Sequence, residues 1–141
     1  MVPVRGYTQV EVSKPVAIVK TLSAAMIKTH GYKSILSPVK DKDSHWCFRI
    51  SGKPKHDVDY CYLVAGNRYR VRAKIYGFYP GPEFRWSEIG FDGSEQEKPY
   101  LGKHFMVLHD YEPLPANARK RRVGFQGFRY LSLDEETKLL S

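Results

Sequence analysis

Apolar positions recur at helical spacing near the start of the chain. Ser13 suits the cap of a helix, Pro15 suits its first turn, and Gly31 suits its end. The pattern therefore predicts a helix over residues 14–30 that packs on a sheet. The apolar stripe of this helix consists of Val16, Val19, Leu22 or Ser23, Met26 and Ile27.

Elsewhere the pattern has a period of two, which is typical of strands that bury one face. Ser132 and Glu135 have the spacing of a capping box, which predicts a short C-terminal helix over about 133–140. The candidate strands are GYTQVEV at 6–12, YKSIL at 32–36, WCFRI at 46–50, EFRWSEIGF at 83–91, KHFMVLHDY at 103–111 and VGFQGFRYLSL at 123–133.

The strongest hairpin signal lies at residues 57–78, DVDYCYLVAGNRYRVRAKIYGF. Gly66 and Asn67 suit a two-residue turn between two alternating runs. The register set by this turn leaves one face apolar and aromatic and the other face cationic. Its predicted cross-strand pairs on the cationic face are Ala65–Arg68, Leu63–Arg70, Cys61–Arg72 and Asp59–Lys74.

These elements predict one α+β domain over residues 1–141. In it the N-terminal helix packs on a mostly antiparallel sheet of five to seven strands. An all-β barrel or sandwich with one appended helix is the alternative. A chain of 141 residues with 42% hydrophobic residues is long and apolar enough to bury a core without metal or disulfide support.

The formal charge of +8 is distributed unevenly. The balance of Lys and Arg against Asp and Glu is +9 over residues 1–82, −4 over residues 83–112 and +3 over residues 113–141. A basic surface attracts polyanions, such as nucleic acid or an acidic protein face. Plain solubility is the competing explanation.

The stretch NRYRVRAK places four cations, Arg68, Arg70, Arg72 and Lys74, at every second position. On a strand all four leave one face, about 6.6 Å apart along the chain. Neighbouring like charges at this distance repel in water by less than about 1 kcal/mol per pair. Residues of mixed charge would solvate the face equally well, so the uniform sign favours an anionic partner over a merely solvated face.

A second basic element follows a stretch without periodicity. Residues 112–122 predict an exposed, mobile loop that ends in four consecutive cations. Nearby aromatic residues have two open interpretations, because they suit either base stacking or the core. The cations are Arg119, Lys120, Arg121 and Arg122, with Arg129 further on, and the aromatic residues are Phe125, Phe128 and Tyr130.

Motifs for nucleotide hydrolysis and proteolysis are absent from the sequence, which contains no Gly-rich phosphate loop, GxSxG or HExxH. Spacing also argues against a zinc module, so we expect neither metal nor cofactor. The possible ligands are His45, Cys47, His56 and Cys61. His, Tyr and cationic residues are numerous enough to leave a metal-independent ribonuclease as a less favoured alternative.

The sequence contains no apolar run near the length of about 18 residues that a membrane span requires. We also find no secretory leader at the N-terminus and predict that the two cysteines are reduced. A cytoplasmic or otherwise intracellular location is therefore expected, without a membrane partner.

The charge pattern favours a small, basic, non-enzymatic protein that binds DNA or RNA. In this interpretation the strand cations form a rail for phosphates and residues 119–122 supply a flexible second contact. The alternative is an interaction, regulatory or assembly protein that docks an acidic protein surface. The segregated charge also permits a homo-oligomer in which basic residues 1–82 meet acidic residues 83–97.

Overall fold

A computed structural model describes residues 13–30, 46–50, 52–80, 83–84, 100–101 and 104–141. The described strands are β1 (Pro15–Thr21), β2 (Trp46–Ile50), β3 (Tyr60–Ala65), β4 (Arg68–Pro80), β5 (Glu83–Phe84), β6 (Tyr100–Leu101), β7 (His104–Pro113) and β8 (Phe128–Ser132). The described helices are α1 (Ala24–His30) and α2 (Leu133–Leu140).

In this part of the chain six strands form one mixed sheet, in the order β2-β7-β4-β3-β1-β8. Strand β1 pairs in parallel with β3, and the other described pairings in this sheet are antiparallel. The short strands β5 and β6 pair with each other separately.

The predicted helix over residues 14–30 is wrong in its first half, which forms β1. This strand lies between β3 and β8, and Ala17, Ile18 and Val19 are fully buried. A strand that is buried on both faces is apolar at consecutive positions. Such a run also contains apolar residues three and four positions apart, which is the spacing expected of a helix. Its β-branched residues also favour a strand.

The predicted fold class, with an N-terminal helix packed on the sheet, is therefore wrong. Helix α1 contains seven residues, all from the second half of the helix predicted over residues 14–30. The alternative of a β-structure with one appended helix fits the structure, because α2 follows the last strand and packs against the sheet.

The sheet buries apolar side chains on both faces. Successive residues of β3 point to opposite faces, so Leu63 enters one core cluster and Tyr62 enters the other. The first core cluster consists of Ile18, Leu22, Phe48, Ile50, Val58, Cys61, Leu63, Ala65, Val71, Ala73, Met106, Leu108 and Tyr111. The second core cluster consists of Ala17, Val19, Tyr62, Val64, Tyr69, Leu114, Ala118, Leu131 and Leu139.

Helix α2 closes the second core cluster. It occupies the range that the sequence predicts, and both bonds of its capping box are present: Glu135 N donates to Ser132 Oγ at 3.1 Å, and Ser132 N donates to Glu135 Oε1 at 3.1 Å. Leu139 is buried against the sheet, and the Tyr62 hydroxyl donates to Glu136 Oε2 at 2.7 Å. One apolar and one polar contact thus attach the helix.

Several predicted features lie outside the described residues. These are the candidate strands at 6–12 and 32–36, most of the candidate at 83–91, and the acidic segment beyond residue 84. Within the described part of the chain, no helix is both long and apolar enough to cross a membrane.

Candidate nucleic-acid interface

The hairpin predicted from the sequence is present as β3 and β4. Gly66 and Asn67 both have φ of 60°, as a two-residue turn of type I′ requires. Ala65 pairs with Arg68, and Val64 pairs with Tyr69, as predicted. The turn therefore sets the register of the first pairs.

A β-bulge then changes the register, and Arg70 is the extra residue of β4. The predicted pairs Leu63–Arg70, Cys61–Arg72 and Asp59–Lys74 are therefore wrong. The observed pairs are Leu63–Val71, Tyr62–Arg72, Cys61–Ala73 and Tyr60–Lys74. Tyr69 belongs to the second core cluster, and so does Tyr62, which pairs with Arg72. Arg72 therefore lies on the same face of the sheet as Tyr69, although the predicted alternation put the two residues on opposite faces. The four cations consequently do not form one continuous row.

Arg72 and Lys74 have acidic partners on β7. Arg72 Nη2 donates to Glu112 Oε2 at 2.7 Å, and Lys74 Nζ lies 3.8 Å from Asp110 Oδ2. Burial lowers the pKa of Arg72, but Glu112 and the Tyr62 phenol outweigh burial, so its pKa is raised overall. These two cations are therefore largely compensated within the protein.

Arg68 and Arg70 have a different environment, because residues 114–122 lie alongside the start of β4. Leu114 and Ala118 are buried, and Arg68 forms an isolated β-bridge with Arg121. The second basic element is thus attached to the first one through the backbone. Its bonds to the hairpin are Leu114 N to Arg70 O (2.9 Å), Tyr69 N to Lys120 O (3.0 Å) and Arg122 N to Asn67 O (2.8 Å).

Seven cations consequently gather at one end of the sheet, and we call them the basic cluster. They are Arg68, Arg70, Arg119, Lys120, Arg121, Arg122 and Arg129. Among the described residues none of these side chains pairs with an Asp or Glu, since the ion pairs there involve Arg72, Lys74, His109 and Lys138. These side chains therefore lack an Asp or Glu partner in the part of the chain that the structure describes, and Lys120 Nζ donates to Ser141 O at 3.4 Å.

Backbone carbonyl groups orient five of these side chains. A carbonyl accepts a hydrogen bond but carries no net charge, so it fixes a cation without neutralising it. The bonds are Arg68 Nη1 to Arg119 O (3.1 Å), Arg70 Nε to Ala65 O (2.9 Å), Arg119 Nε to Leu114 O (2.8 Å), Lys120 Nζ to Lys138 O, and Arg129 Nη1 to Phe128 O (3.1 Å).

Phe125 links Arg129 to the rest of the basic cluster. The guanidinium carbon of Arg122 lies 5.2 Å from the centre of the Phe125 ring, and that of Arg129 lies 5.0 Å from it, so both are within cation–π range. The Phe125 amide donates to Thr21 Oγ1 at 3.1 Å, which anchors the ring at the end of β1.

Tyr69 and Val123 adjoin the basic cluster, Tyr69 as a buried side chain beneath it and Val123 as an exposed one, and sequence reasoning overlooked both as site residues. Arg122 Nη1 donates to the Tyr69 hydroxyl at 3.1 Å, and burial raises the pKa of that phenol more than Arg122 lowers it. Val123 is 64% exposed between Arg122 and Gly124. The signal available in the sequence was an apolar residue directly after four cations.

The side chains of Phe128 and Tyr130 pack against the first core cluster, although Arg129 of the basic cluster lies between them on β8. Their rings contact each other edge to face at 5.6 Å, and the Tyr130 ring contacts His56 at 5.0 Å. Of the three aromatic residues singled out near the cations, Phe125 is thus the one that the described structure places in the basic cluster.

A histidine–carboxylate pair lies further along the sheet. His109 Nδ1 is 3.3 Å from Asp110 Oδ2, the same oxygen that approaches Lys74. Asp110 has a φ of 50°, a left-handed conformation that Asp tolerates better than most residues. The pair has the groups of a general acid–base site, but it borders the compensated cations rather than the basic cluster.

Comparison of the chain with protein-family models, with curated proteins and with solved structures found no match. The function is accordingly inferred from the residues of the basic cluster and from their contacts.

Proposed function

We propose that this protein is a small, non-enzymatic nucleic-acid-binding protein whose basic cluster contacts the phosphate backbone. One observation carries the proposal: cations about fifty residues apart in sequence meet at one end of the sheet without Asp or Glu partners among the described residues. The proposal places the phosphate contacts in the basic cluster, and Arg72 and Lys74 contribute less because Glu112 and Asp110 compensate them.

The orientation of the arginines supports this role. A long side chain loses roughly 0.5–1.5 kcal/mol of rotamer entropy when binding immobilises it. Arg68, Arg119 and Arg129 already donate to backbone carbonyls, so part of that loss occurs on folding. Guanidinium groups keep further donors for phosphate oxygens after one carbonyl bond.

Phe125 favours a nucleic-acid partner over an acidic protein surface. The carboxylates of an acidic protein surface require only cations for binding, whereas nucleic acids also present bases that stack on aromatic rings and on guanidinium planes. Phe125 is half-buried between Arg122 and Arg129, so the basic cluster combines both kinds of contact. Docking of an acidic protein surface becomes an outcome of the test.

Fluorescence anisotropy with labelled RNA and DNA oligonucleotides tests the proposal. Poly-glutamate of equal charge serves as the control polyanion. We expect log K to fall linearly with log salt between about 50 and 200 mM, with a slope of about −0.7 to −0.9 per phosphate contacted. Binding of poly-glutamate as tight as that of nucleic acid would favour the acidic-surface alternative, and binding of neither would overturn both.

The same samples test the absence of catalysis. RNA incubated with the protein and separated on a denaturing gel should keep its length. If it is shortened, and if His109→Ala abolishes the shortening, the His109–Asp110 pair is catalytic and the protein is a ribonuclease.

A further inference from the structure

We infer that the ligand is single-stranded nucleic acid and that one of its bases stacks on the surface formed by Phe125 and its two flanking guanidinium groups. This inference rests on the proposed function and specifies its ligand class.

The first observation is that apolar surface lies within the basic cluster. Val123 is 64% exposed and Phe125 is half-buried, and both lie within three residues of Arg122. A duplex presents phosphates and groove edges at its surface, whereas its bases are stacked inside. A single strand presents base faces together with phosphates, which matches a surface of cations around an apolar centre.

The second observation is that polar contacts support the guanidinium groups around the ring. Arg129 Nη1 donates to the carbonyl oxygens of Gln126 (3.3 Å) and Phe128 (3.1 Å), and Arg122 Nη1 donates to the Tyr69 hydroxyl (3.1 Å). Each group thereby stays near 5 Å from the Phe125 ring centre. Because both guanidinium groups lie over the Phe125 ring, a base would stack on the outer plane of a guanidinium, and Arg129 is the exposed one of the two.

The third observation is that the backbone holds Phe125 against the body of the protein. Gly124 approaches β1 so closely that an added Cβ would lie 3.0 Å from Thr21 Cγ2. The Phe125 amide donates to the hydroxyl of the same threonine. The backbone of Phe125 is therefore fixed at the end of the sheet, and the ring lies there beside the guanidinium groups of Arg122 and Arg129.

The experiment compares Phe125→Leu with the matched control Phe128→Leu. Phe128 is a half-buried phenylalanine of the same chain segment, but it packs against the first core cluster. Affinity is measured by anisotropy for a single strand and for the duplex of the same sequence, at several salt concentrations. Circular dichroism melting identifies any variant that does not fold.

Phe125→Leu should weaken single-strand binding by about fivefold to 150-fold, because it removes the aromatic ring from the stacking surface. Its salt slope should stay unchanged, because no cation is removed. Duplex binding should change less than about twofold in Phe125→Leu, and Phe128→Leu should behave like the wild type.

The failures can be told apart. A wild-type protein that binds neither form overturns the proposed function. A wild-type protein that binds both forms equally, with no single-strand loss in Phe125→Leu, overturns the single-strand inference alone. If Phe125→Leu does not fold, Val123→Ser replaces it as the test variant, because Val123 is exposed and its substitution leaves the core intact. Weaker single-strand binding by Val123→Ser supports the stacking surface, and unchanged binding overturns it.

Discussion

At the scale of single residues, Arg68 and Arg72 show how position determines the use of a charge. They lie four residues apart on β4, but Arg68 donates to the Arg119 carbonyl whereas Arg72 forms an ion pair with Glu112. The formal charge is the same, and the charge available to a partner differs. We expect Arg68→Gln to weaken nucleic-acid binding by about twofold to fivefold and Arg72→Gln by less than about twofold.

Anisotropy at one low salt concentration measures both variants. Glu112→Gln is the complementary control, because it frees the charge of Arg72 and should strengthen binding slightly. A larger loss of nucleic-acid affinity in Arg72→Gln than in Arg68→Gln would indicate that the strand cations, rather than the basic cluster, form the interface.

Cys61 gives a second prediction at this scale. Complete burial raises the pKa of the Cys61 thiol to about 12, and neighbouring Lys20 opposes this only partly. An unfolded thiol titrates near 8.5, so the folded chain binds the proton more tightly. Stability from this group is present below pH of about 8.5 and is lost as pH rises toward 12.

Urea denaturation between about pH 8 and pH 11 checks this prediction, and iodoacetamide labelling of a Cys47→Ser variant, in which Cys61 is the single thiol, checks the burial that causes it. At pH 8.5 we expect labelling in native buffer to be at least about a hundredfold slower than in urea. Equal rates would mean that the thiol is accessible in the native fold.

At the scale of elements, helix α2 supports the basic cluster as well as the core. Leu139 is 5% exposed in the second core cluster, Leu140 is 40% exposed, and Lys120 donates to the Lys138 carbonyl near the end of the helix. Leu139→Ala should lower the free energy of unfolding by about 2–4 kcal/mol. Leu140→Ala is the matched control and should change it by less than about 0.5 kcal/mol.

Urea denaturation followed by circular dichroism measures both free energies of unfolding. Equal effects of the two substitutions would show that α2 does not pack on the sheet through Leu139.

Local signals in the sequence predicted some elements well and others poorly. Gly66-Asn67 and the Ser132–Glu135 capping box determine their own structures through bonds within a few residues, so the hairpin and α2 lie where expected. Whether Val16 to Val19 form a helix or a strand depends on burial by β3 and β8, which are distant in sequence. The bulge at Arg70 likewise has no local signature.

At the scale of the whole molecule, the candidate site depends on contacts between distant segments. All seven cations of the basic cluster were predicted as binding residues, but their grouping was not. The bridge between Arg68 and Arg121 spans about fifty residues, and the periodicity of the chain contains no information about it. The sheet order, which brings the end of β1 and the start of β4 together, creates the site.

The most direct test compares two triple variants that remove equal charge. One carries Arg68→Gln, Arg121→Gln and Arg129→Gln in the basic cluster. The other carries Lys14→Gln, Lys53→Gln and Lys55→Gln, all exposed and outside the cluster. Net charge falls by the same amount in both, so a difference in binding reports where the phosphates bind.

The measurement is the slope of log K against log salt for one single-stranded oligonucleotide. We predict that the cluster variant loses about tenfold or more in affinity at low salt and that its slope becomes about 2 less steep. The lysine variant should keep the wild-type slope. Equal losses in the two folded variants would contradict a localised interface and would leave only a general attraction between a basic protein and a polyanion.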